Sequence, residues 1–239
     1  MSPLLALKVP EKLRNSLKDE TFRVYFNAKQ EEIEVFLTGV VGDEYTQSDA
    51  ASIAGMLSAN RQRPVHLRIN SFGGLAFDGL AIHNAMEQHD GPTRATIEGV
   101  AASAASLAAI GADKVSIHEN ATYHIHEGLA FGFGHIAELK ETINWLEAFN
   151  EAAIATYAAK TGKSISEMGL ALLGKNGDGT IYSASAAKDA GFVDEIIPLK
   201  KKSATASDDQ KLQAMLNYRI AAHRRQNSDS LLTVIPGPW

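Results

Sequence analysis

The sequence contains no cysteine, so disulfide bonds, thiolate metal ligands and cysteine nucleophiles are excluded for these 239 residues. It also contains no long hydrophobic run: the longest stretch of small apolar residues, 99–112, is far shorter than the roughly 20 residues that a membrane-spanning helix needs. There is no block of basic residues, and the formal net charge is −5, which argues against nucleic acid as the main partner. The first twenty residues do not have the pattern of a signal peptide. We therefore expect a soluble, cytoplasmic protein with neither a membrane nor a nucleic acid as partner.

Composition divides the chain into three parts. Residues 1–20 are predicted to form a loosely structured leader, and residues 21–199 a single globular domain with enough apolar residues for a core. Residues 200–239 begin with the polar run KKKSATASDD and are predicted to be a linker and tail, part of which has the pattern of an amphipathic helix.

Within the domain, strand-like and helix-like patterns alternate. Strands are predicted at 22–26, 33–37, 65–69, 93–98, 114–117, 122–126 and 192–197, and helices at 46–59, 76–89, 135–160, 164–173 and 185–190. This alternation indicates an α/β fold with βαβ crossovers and a parallel sheet covered by helices.

Three details of these helices are also predicted. Thr46 or Ser48 is expected to cap the helix at 46–59. In the helix at 76–89, Phe77, Leu80 and Ala81 are expected to face the core. The helix at 135–160 is longer than the average globular helix, and its apolar residues are expected to serve an interface as well as the core.

Three short segments contain residues suited to chemistry. INSFGG, at 69–74, places paired glycines at the end of a predicted strand, where a backbone can approach a ligand closely. GVAAS, at 99–103, places Ser103 at the start of a helix, where unpaired N–H groups stabilise negative charge. YHIHE, at 123–127, places two histidines on one strand. Together they supply a serine, a base and two sources of backbone N–H groups, the parts needed for acyl transfer.

The two histidines have an alternative interpretation as metal ligands. His124 and His126 are two residues apart and so point to the same side of a strand. However, no acidic or histidine partner follows at a familiar ligand spacing, so no metal site is predicted.

Five motifs in order, INSFGG, GVAAS, HIHEG, a long helix and IYSASAAKDAGFVDEI, resemble the proteolytic subunit of Clp protease (ClpP) over residues 22–198. The sequence looks most like the phage and prophage branch of head maturation proteases. The resemblance implies a ClpP/crotonase-like fold of repeated spiral ββα units with a protruding long "handle" helix around 135–160.

The resemblance also implies the roles of individual residues. Ser103 occupies the position of the family's nucleophile and His126 that of its general base, while Glu127 and Gly128 replace the family's usual Gln-Pro. The N–H groups of Gly74 and Ala104 would form the oxyanion hole. Substrate would bind as an added strand at three further residues, Gly73, Gly128 and Leu129. Ser106 would be a packing residue, and His124 a strand neighbour too far along to reach the nucleophile.

The third member of the triad is offset by one residue. In strict register with the family, the acid falls on Gly179, and Asp178 lies one residue earlier. Because glycines flank Asp178, a shift of the loop by one residue would bring its carboxylate to His126, and Asp178 is the predicted orienting acid. The alternative is a Ser-His dyad or another acid. Asp194 matches a family aspartate outside the triad and is expected to be a turn or sheet-end residue.

The function implied is an ATP-independent serine endopeptidase that acts without metal or cofactor on unfolded polypeptide or on capsid and scaffold proteins. The resemblance implies a homo-oligomeric ring, a heptamer or two stacked heptamers. Two alternatives stay open: a catalytically silent ring in a capsid, and a general ClpP subunit that works with an AAA+ unfoldase. Other enzymes fit less well, because crotonase-type acyl-CoA enzymes do not use this serine-histidine pair, and a Ser-Lys mechanism through Lys114 would leave His126 unexplained.

Overall fold

The computed structural model describes residues 24–27, 31–44, 48–200 and 213. The chain separates into two compact units, 1–199 and 200–239, and the description below concerns the first. The predicted leader at 1–20 and the helix predicted in the tail lie outside the described residues, apart from position 213.

The described residues form eight strands and six helices. The strands are β1 (Val24–Asn27), β2 (Glu32–Val41), β3 (Val65–Gly74), β4 (Thr93–Ala102), β5 (Lys114–His118), β6 (Thr122–Ile125), β7 (Thr180–Ser183) and β8 (Glu195–Ile197). The helices are α1 (Ala50–Ala59), α2 (Ala76–Glu87), α3 (Ala104–Ala109), α4 (Ile136–Thr161), α5 (Ile165–Leu173) and α6 (Ala184–Asp189).

The main sheet has the order β1-β2-β3-β4-β5-β8, and all of its neighbours are parallel except β1 and β2. Strand β6 pairs in parallel with the end of β4 and carries β7 antiparallel on its other side. The mixed α/β fold with a parallel sheet is therefore as predicted. The sheet splits at the end of β4, where β5 stops pairing and β6 begins.

The core lies on one face of this sheet because apolar residues alternate along each strand. On β2 these are Ile33, Val35 and Leu37, all buried. Equivalent residues of β3, β4 and β5 join them: Val65, Leu67, Ile69, Ala95, Ile97, Val115 and Ile117. Burial of this apolar surface is the main favourable term in the stability of the fold.

The cap of α1 differs from the prediction. Asp49 is the N-cap, and its carboxylate accepts from the Ser52 N–H at 2.9 Å. Ser48 is buried, and its hydroxyl donates to the carbonyl of Thr38 on β2 at 3.4 Å, so it is engaged with the sheet instead. Thr46, the other predicted cap, lies outside the described residues.

The inward face of α2 differs in part from the prediction. Leu80 is half-buried against the core as predicted, and Gly79, Ile82 and Met86 are buried, whereas Phe77 is 46% exposed and Ala81 is exposed. A Cβ at Gly79 would lie 2.5 Å from the carbonyl oxygen of Ala104, so the helix approaches α3 most closely at this glycine. That close approach centres the buried face on Gly79, and Phe77 lies at its margin, where its ring packs edge-on against the rings of Trp145 and Phe149.

The long helix α4 has two unlike halves. Toward its C-terminal end, Phe149, Ala153 and Tyr157 are buried in the core. Toward its N-terminal end, apolar side chains are exposed, namely Ile136, Leu139, Ile143 and Trp145. Among the described residues no helix is long and apolar enough to cross a membrane.

Candidate active site

Ser103 lies on a strained turn between β4 and α3. Its φ is 54° and its ψ is −128°, a conformation that costs a non-glycine residue on the order of 1–3 kcal/mol and that is concentrated at functional sites. The turn is tied to β6, because the Ser103 N–H donates to the His124 carbonyl at 3.0 Å. The side chain is thus presented at the point where β4, α3 and β6 meet.

Ser106, on the first turn of α3, supports the Ser103 turn through a hydrogen bond. It is fully buried, and its hydroxyl donates to the Ser103 carbonyl at 2.6 Å. Since that hydroxyl has only one proton, the Tyr157 hydroxyl, also 2.6 Å away, must be the donor in their shared hydrogen bond. The Tyr123 hydroxyl donates to the Ser106 carbonyl at 2.7 Å. The sequence analysis predicted Ser106 to be a packing residue. In the structure it is instead the centre of a buried polar network.

Gly73 is pressed against Ser103. Its φ is +99°, and a Cβ there would lie 2.6 Å from the Ser103 Cβ and 3.1 Å from the Ala104 nitrogen. No side chain fits in this space. The Gly73 N–H is already satisfied by the Ser71 hydroxyl at 3.0 Å, and that hydroxyl donates to the Gly39 carbonyl on β2.

The neighbouring N–H, that of Gly74, points the other way. The Leu75 N–H donates to the Val41 carbonyl on β2, and successive N–H groups of a strand alternate between its two sides. The Gly74 N–H is thereby directed away from β2, toward the side of β4 and Ser103. Ala104 follows the serine as the first residue of α3, where an N–H has no partner within the helix.

His126 follows the end of β6, and Ser103 follows the end of the neighbouring strand β4. The last paired residues of β4 and β6 are Ala102 and His124. Ser103 comes one residue after the first of these, and His126 comes two residues after the second. The His126 Nδ1 lies 2.6 Å from the Glu127 carbonyl. Because a carbonyl oxygen only accepts, Nδ1 is the protonated nitrogen and Nε2 has the free lone pair that a general base needs.

His124 lies beside His126, with ring centroids 5.2 Å apart, as expected for alternate residues of one strand. Its Nε2 is 3.1 Å from the carbonyl oxygen of Asp178. Its backbone carbonyl is the group that holds the Ser103 N–H. His124 therefore holds the turn through its backbone carbonyl and contacts the 174–179 loop through its ring, and the ring does not bond to Ser103.

The loop that contains Asp178 lies against His126 through Gly179. A Cβ at Gly179 would lie 2.1 Å from the Ile125 carbonyl and 2.5 Å from the His126 Cβ, so only glycine fits there. The Asp178 side chain is exposed. Among the described residues, no carboxylate is hydrogen-bonded to His126, so the structure brings the backbone of Asp178 to the histidine pair but not its carboxylate.

The predicted substrate segment leaves the site toward α4. The Gly128 N–H donates to the Asn150 side chain at 2.7 Å, and a Cβ at Gly128 would lie 2.7 Å from the Phe149 ring. One residue further on, Leu129 is 84% exposed. The start of this segment is therefore anchored to α4, and its continuation is open to a ligand.

Two residues weighed as alternatives have structural partners. The Asp194 carboxylate accepts from the Val115 N–H at 2.7 Å and pairs with Lys160 at 3.2 Å, which fits the predicted sheet-end role. Lys114 pairs with Glu195 at 2.5 Å across β5 and β8. Lys114 is thus engaged at the far end of the sheet, which argues against a Ser-Lys mechanism.

Sequence reasoning missed three residues that shape the site, Ser71, Asn150 and Tyr157, and gave Ser106 only a packing role. Ser106 lies one helical turn after Ser103, but its partner Tyr157 is 51 residues away. The contacts from Ser71 to Gly39 and from Asn150 to Gly128 also join separate elements, so no local pattern reveals them.

The sequence profile described as Clp protease matches residues 17–200 of this chain. Among solved structures, an asparagine-to-aspartate mutant of ClpP1 from Listeria monocytogenes is similar, with a TM-score of 0.57 and 21% sequence identity. The match covers 79% of this chain and 97% of that chain. This second likeness concerns the fold.

Proposed function

The chain belongs to the Clp protease family, and we propose that it is a serine endopeptidase that hydrolyses peptide bonds, without ATP, through Ser103 and His126. The observation that supports this most directly is the Ser103 turn. A serine held at positive φ, between a strand and a helix, with a glycine pressed against its Cβ, has a costly geometry that packing alone does not require.

In the proposed reaction, the His126 Nε2 accepts the Ser103 hydroxyl proton as Oγ bonds to the substrate carbonyl carbon. The carbonyl oxygen becomes an oxyanion, which the N–H groups of Gly74 and Ala104 stabilise. The C–N bond then breaks, and His126 gives its proton to the leaving amine. Water, deprotonated by His126, hydrolyses the acyl-enzyme and regenerates the serine.

Orientation of His126 is proposed to change during assembly or substrate binding. In the structure the Glu127 carbonyl holds Nδ1. We propose that Asp178 replaces it through a movement of the 174–179 loop that also draws the loop backbone away from Ile125 and His126, because in the present position a side chain at Gly179 would lie 2.1 Å from the Ile125 carbonyl. Positive φ angles at Gly174, Gly177 and Gly179 give this loop the conformational freedom that such a shift needs.

The proposed substrate is an extended segment of unfolded polypeptide, or of a capsid or scaffold protein if the chain serves phage head maturation. It would add as a strand along Gly73, Gly128 and Leu129 and bind mainly through its backbone, which gives low sequence selectivity.

The proposed assembly is a homo-oligomeric ring. Support comes from the exposed apolar residues in the first half of α4, where Trp145 and Ile143 are 58% and 52% exposed. Apolar patches of this kind mark protein–protein contacts. Light scattering should show an oligomer of many subunits, whereas a stable monomer would contradict the ring.

A fluorophosphonate probe tests the reaction itself. We expect it to label the assembled protein, to fail with Ser103→Ala and to label Ser106→Ala more slowly. If the assembled wild type is not labelled at neutral pH, the catalytically silent ring becomes the better explanation.

A further inference from the structure

The face of the sheet opposite the core carries a cluster of charged and polar residues far from the candidate active site. We call it the polar cluster; it comprises Glu32 and Glu34 on β2, His66 and Arg68 on β3, and Arg94, Thr96 and Glu98 on β4. The innermost of these lie near the N-terminal ends of their strands, while Ser103 follows the C-terminal end of β4.

His66 has one satisfied nitrogen and one orphaned nitrogen. Its Nε2 lies 2.8 Å from the Thr96 hydroxyl, whereas its Nδ1, although buried, has no hydrogen-bond partner among the described residues. The His66 side chain is only 9% exposed. A buried polar atom without a partner is unfavourable, so this atom requires an explanation.

Two carboxylates face the orphaned nitrogen. The Glu32 Oε1 and the Glu34 Oε1 each lie 3.9 Å from the His66 Nδ1, too far for a hydrogen bond. Both glutamate side chains are largely buried, at 7% and 17% exposed. One atom from each of the three residues lies within 4.8 Å of the others.

We propose that Glu32, Glu34 and His66 bind a divalent transition-metal ion of the Zn²⁺ class. Zinc bonds to nitrogen and carboxylate oxygen are about 2.0–2.2 Å long and tetrahedral, so neighbouring ligand atoms are about 3.3–3.6 Å apart. The separation of 3.9 Å is too long for direct bonding and only slightly longer than that spacing, so a small movement of the glutamate side chains would bring the three ligand atoms around one ion. Water would complete the coordination.

The surroundings of His66 fit a ligand. If its Nε2–H donates to Thr96, Nδ1 has the lone pair and the ring is fixed in place, the arrangement usual for a metal-binding histidine. Burial, and to a lesser extent the Arg94 charge, lowers the pKa of His66 to about 4, so the ring is neutral at neutral pH.

The two arginines of the polar cluster lower the expected affinity for a metal ion, but they do not occupy the space between the three proposed ligands. Arg94 binds both carboxylate oxygens of Glu32, at 2.6 and 3.0 Å, and Arg68 lies 3.8 Å from Glu34 and bonds to Glu98. The cluster contains three carboxylates and two guanidinium groups, so its formal charge is −1 when the histidine is neutral. A carboxylate oxygen has more than one lone pair, and Arg94 can hold Glu32 while that residue binds metal.

The proposed role is structural and does not depend on the peptidase proposal. Glu34 and His66 face each other in register across β2 and β3, and Thr96 holds His66 from β4. The ion would therefore connect the N-terminal ends of three neighbouring strands, and it replaces the sequence-based expectation of no metal site.

The test begins with full-length protein freed of metal by a chelator. Added Zn²⁺ should bind at one ion per chain and, at about 100 times the dissociation constant, raise the unfolding midpoint by roughly 5–10 °C. Added Co²⁺ should give visible absorption bands with an imidazole ligand. Absence of both effects overturns the proposal, whatever the variants do.

Variants locate the ion. His66→Gln and Glu34→Gln should each lose the midpoint shift, while His89→Gln, at a surface histidine bonded to the Arg63 carbonyl, should keep it. A second pair of groups that could bind zinc is formed by His124 and His126, which lie beside each other near the candidate active site. A shift and a Co²⁺ spectrum that survive in Glu34→Gln and vanish in His126→Ala would place the ion there and overturn the proposal.

Discussion

The Tyr157 hydroxyl lies 2.6 Å from the Ser106 hydroxyl, and both are buried. Through this contact the long helix α4 supports the turn that holds Ser103, because the Ser106 hydroxyl donates its own hydrogen bond to the Ser103 carbonyl. Burial in turn raises the pKa of Tyr157 above its ordinary value, so the phenol stays protonated and remains the donor.

Ser106→Ala should destabilise the protein more than Tyr157→Phe. The alanine leaves the buried Tyr157 hydroxyl without its acceptor and the Ser103 turn without its side-chain support, at a cost of about 1–3 kcal/mol. In Tyr157→Phe, Ser106 still donates to Ser103, and a cost of about 1 kcal/mol is expected. Denaturant unfolding at fixed protein concentration measures both, and the double variant should cost less than the sum. Strict additivity would show that the two hydroxyls act independently.

Gly73→Ala should abolish peptidase activity. Its new Cβ would lie 2.6 Å from the Ser103 Cβ, so the nucleophile or the strand end has to move. Gly162→Ala is the matched control, because Gly162 has a φ of +70° but open space around it. Both variants carry backbone strain, and only the first should lose kcat by 100-fold or more, as expected when reacting groups are displaced by about 1 Å. Equal losses in the two variants would refute this account.

Asp178→Asn should reduce kcat by about 10⁴-fold if its carboxylate orients His126 during turnover. Asp189→Asn, at an exposed aspartate of α6, is the control for loss of one negative charge and should have normal activity. Steady-state kinetics on an unstructured peptide measures both. Near-normal turnover in Asp178→Asn would instead favour a Ser103–His126 dyad oriented by the Glu127 carbonyl.

The unfolding free energy should fall as the pH drops below about 6.5, in part through His83. Burial lowers the pKa of His83, partly offset by the hydrogen bond between its Nδ1 and the Leu107 carbonyl. The neutral form is therefore favoured in the fold, so the stabilisation is present above the ordinary histidine pKa and is lost as the pH falls. His83→Gln should flatten the unfolding curve between pH 7 and 5, and His89→Gln should not. A steeper curve in His83→Gln would show that the sign is wrong.

Much of the fold could be predicted because its signals are local. The β-branched and aromatic residues at 33–37 identified β2, and the pattern at 164–173 identified α5, which Ser164 caps. The inward face of α2 could not be predicted, because it depends on how closely Gly79 approaches Ala104, a contact that only the packed helices create.

The sequence by itself determined the parallel α/β order, the motifs around Ser103 and His126, and the family that they resemble, since each depends on neighbouring residues. Only the tertiary structure decided what surrounds them. It gave Ser106 a partner on α4, held His126 by the Glu127 carbonyl and kept the Asp178 carboxylate exposed. It also brought two glutamates of β2 to a buried histidine of β3. Most of these contacts join residues that are far apart in the chain, so no local sequence pattern indicates them.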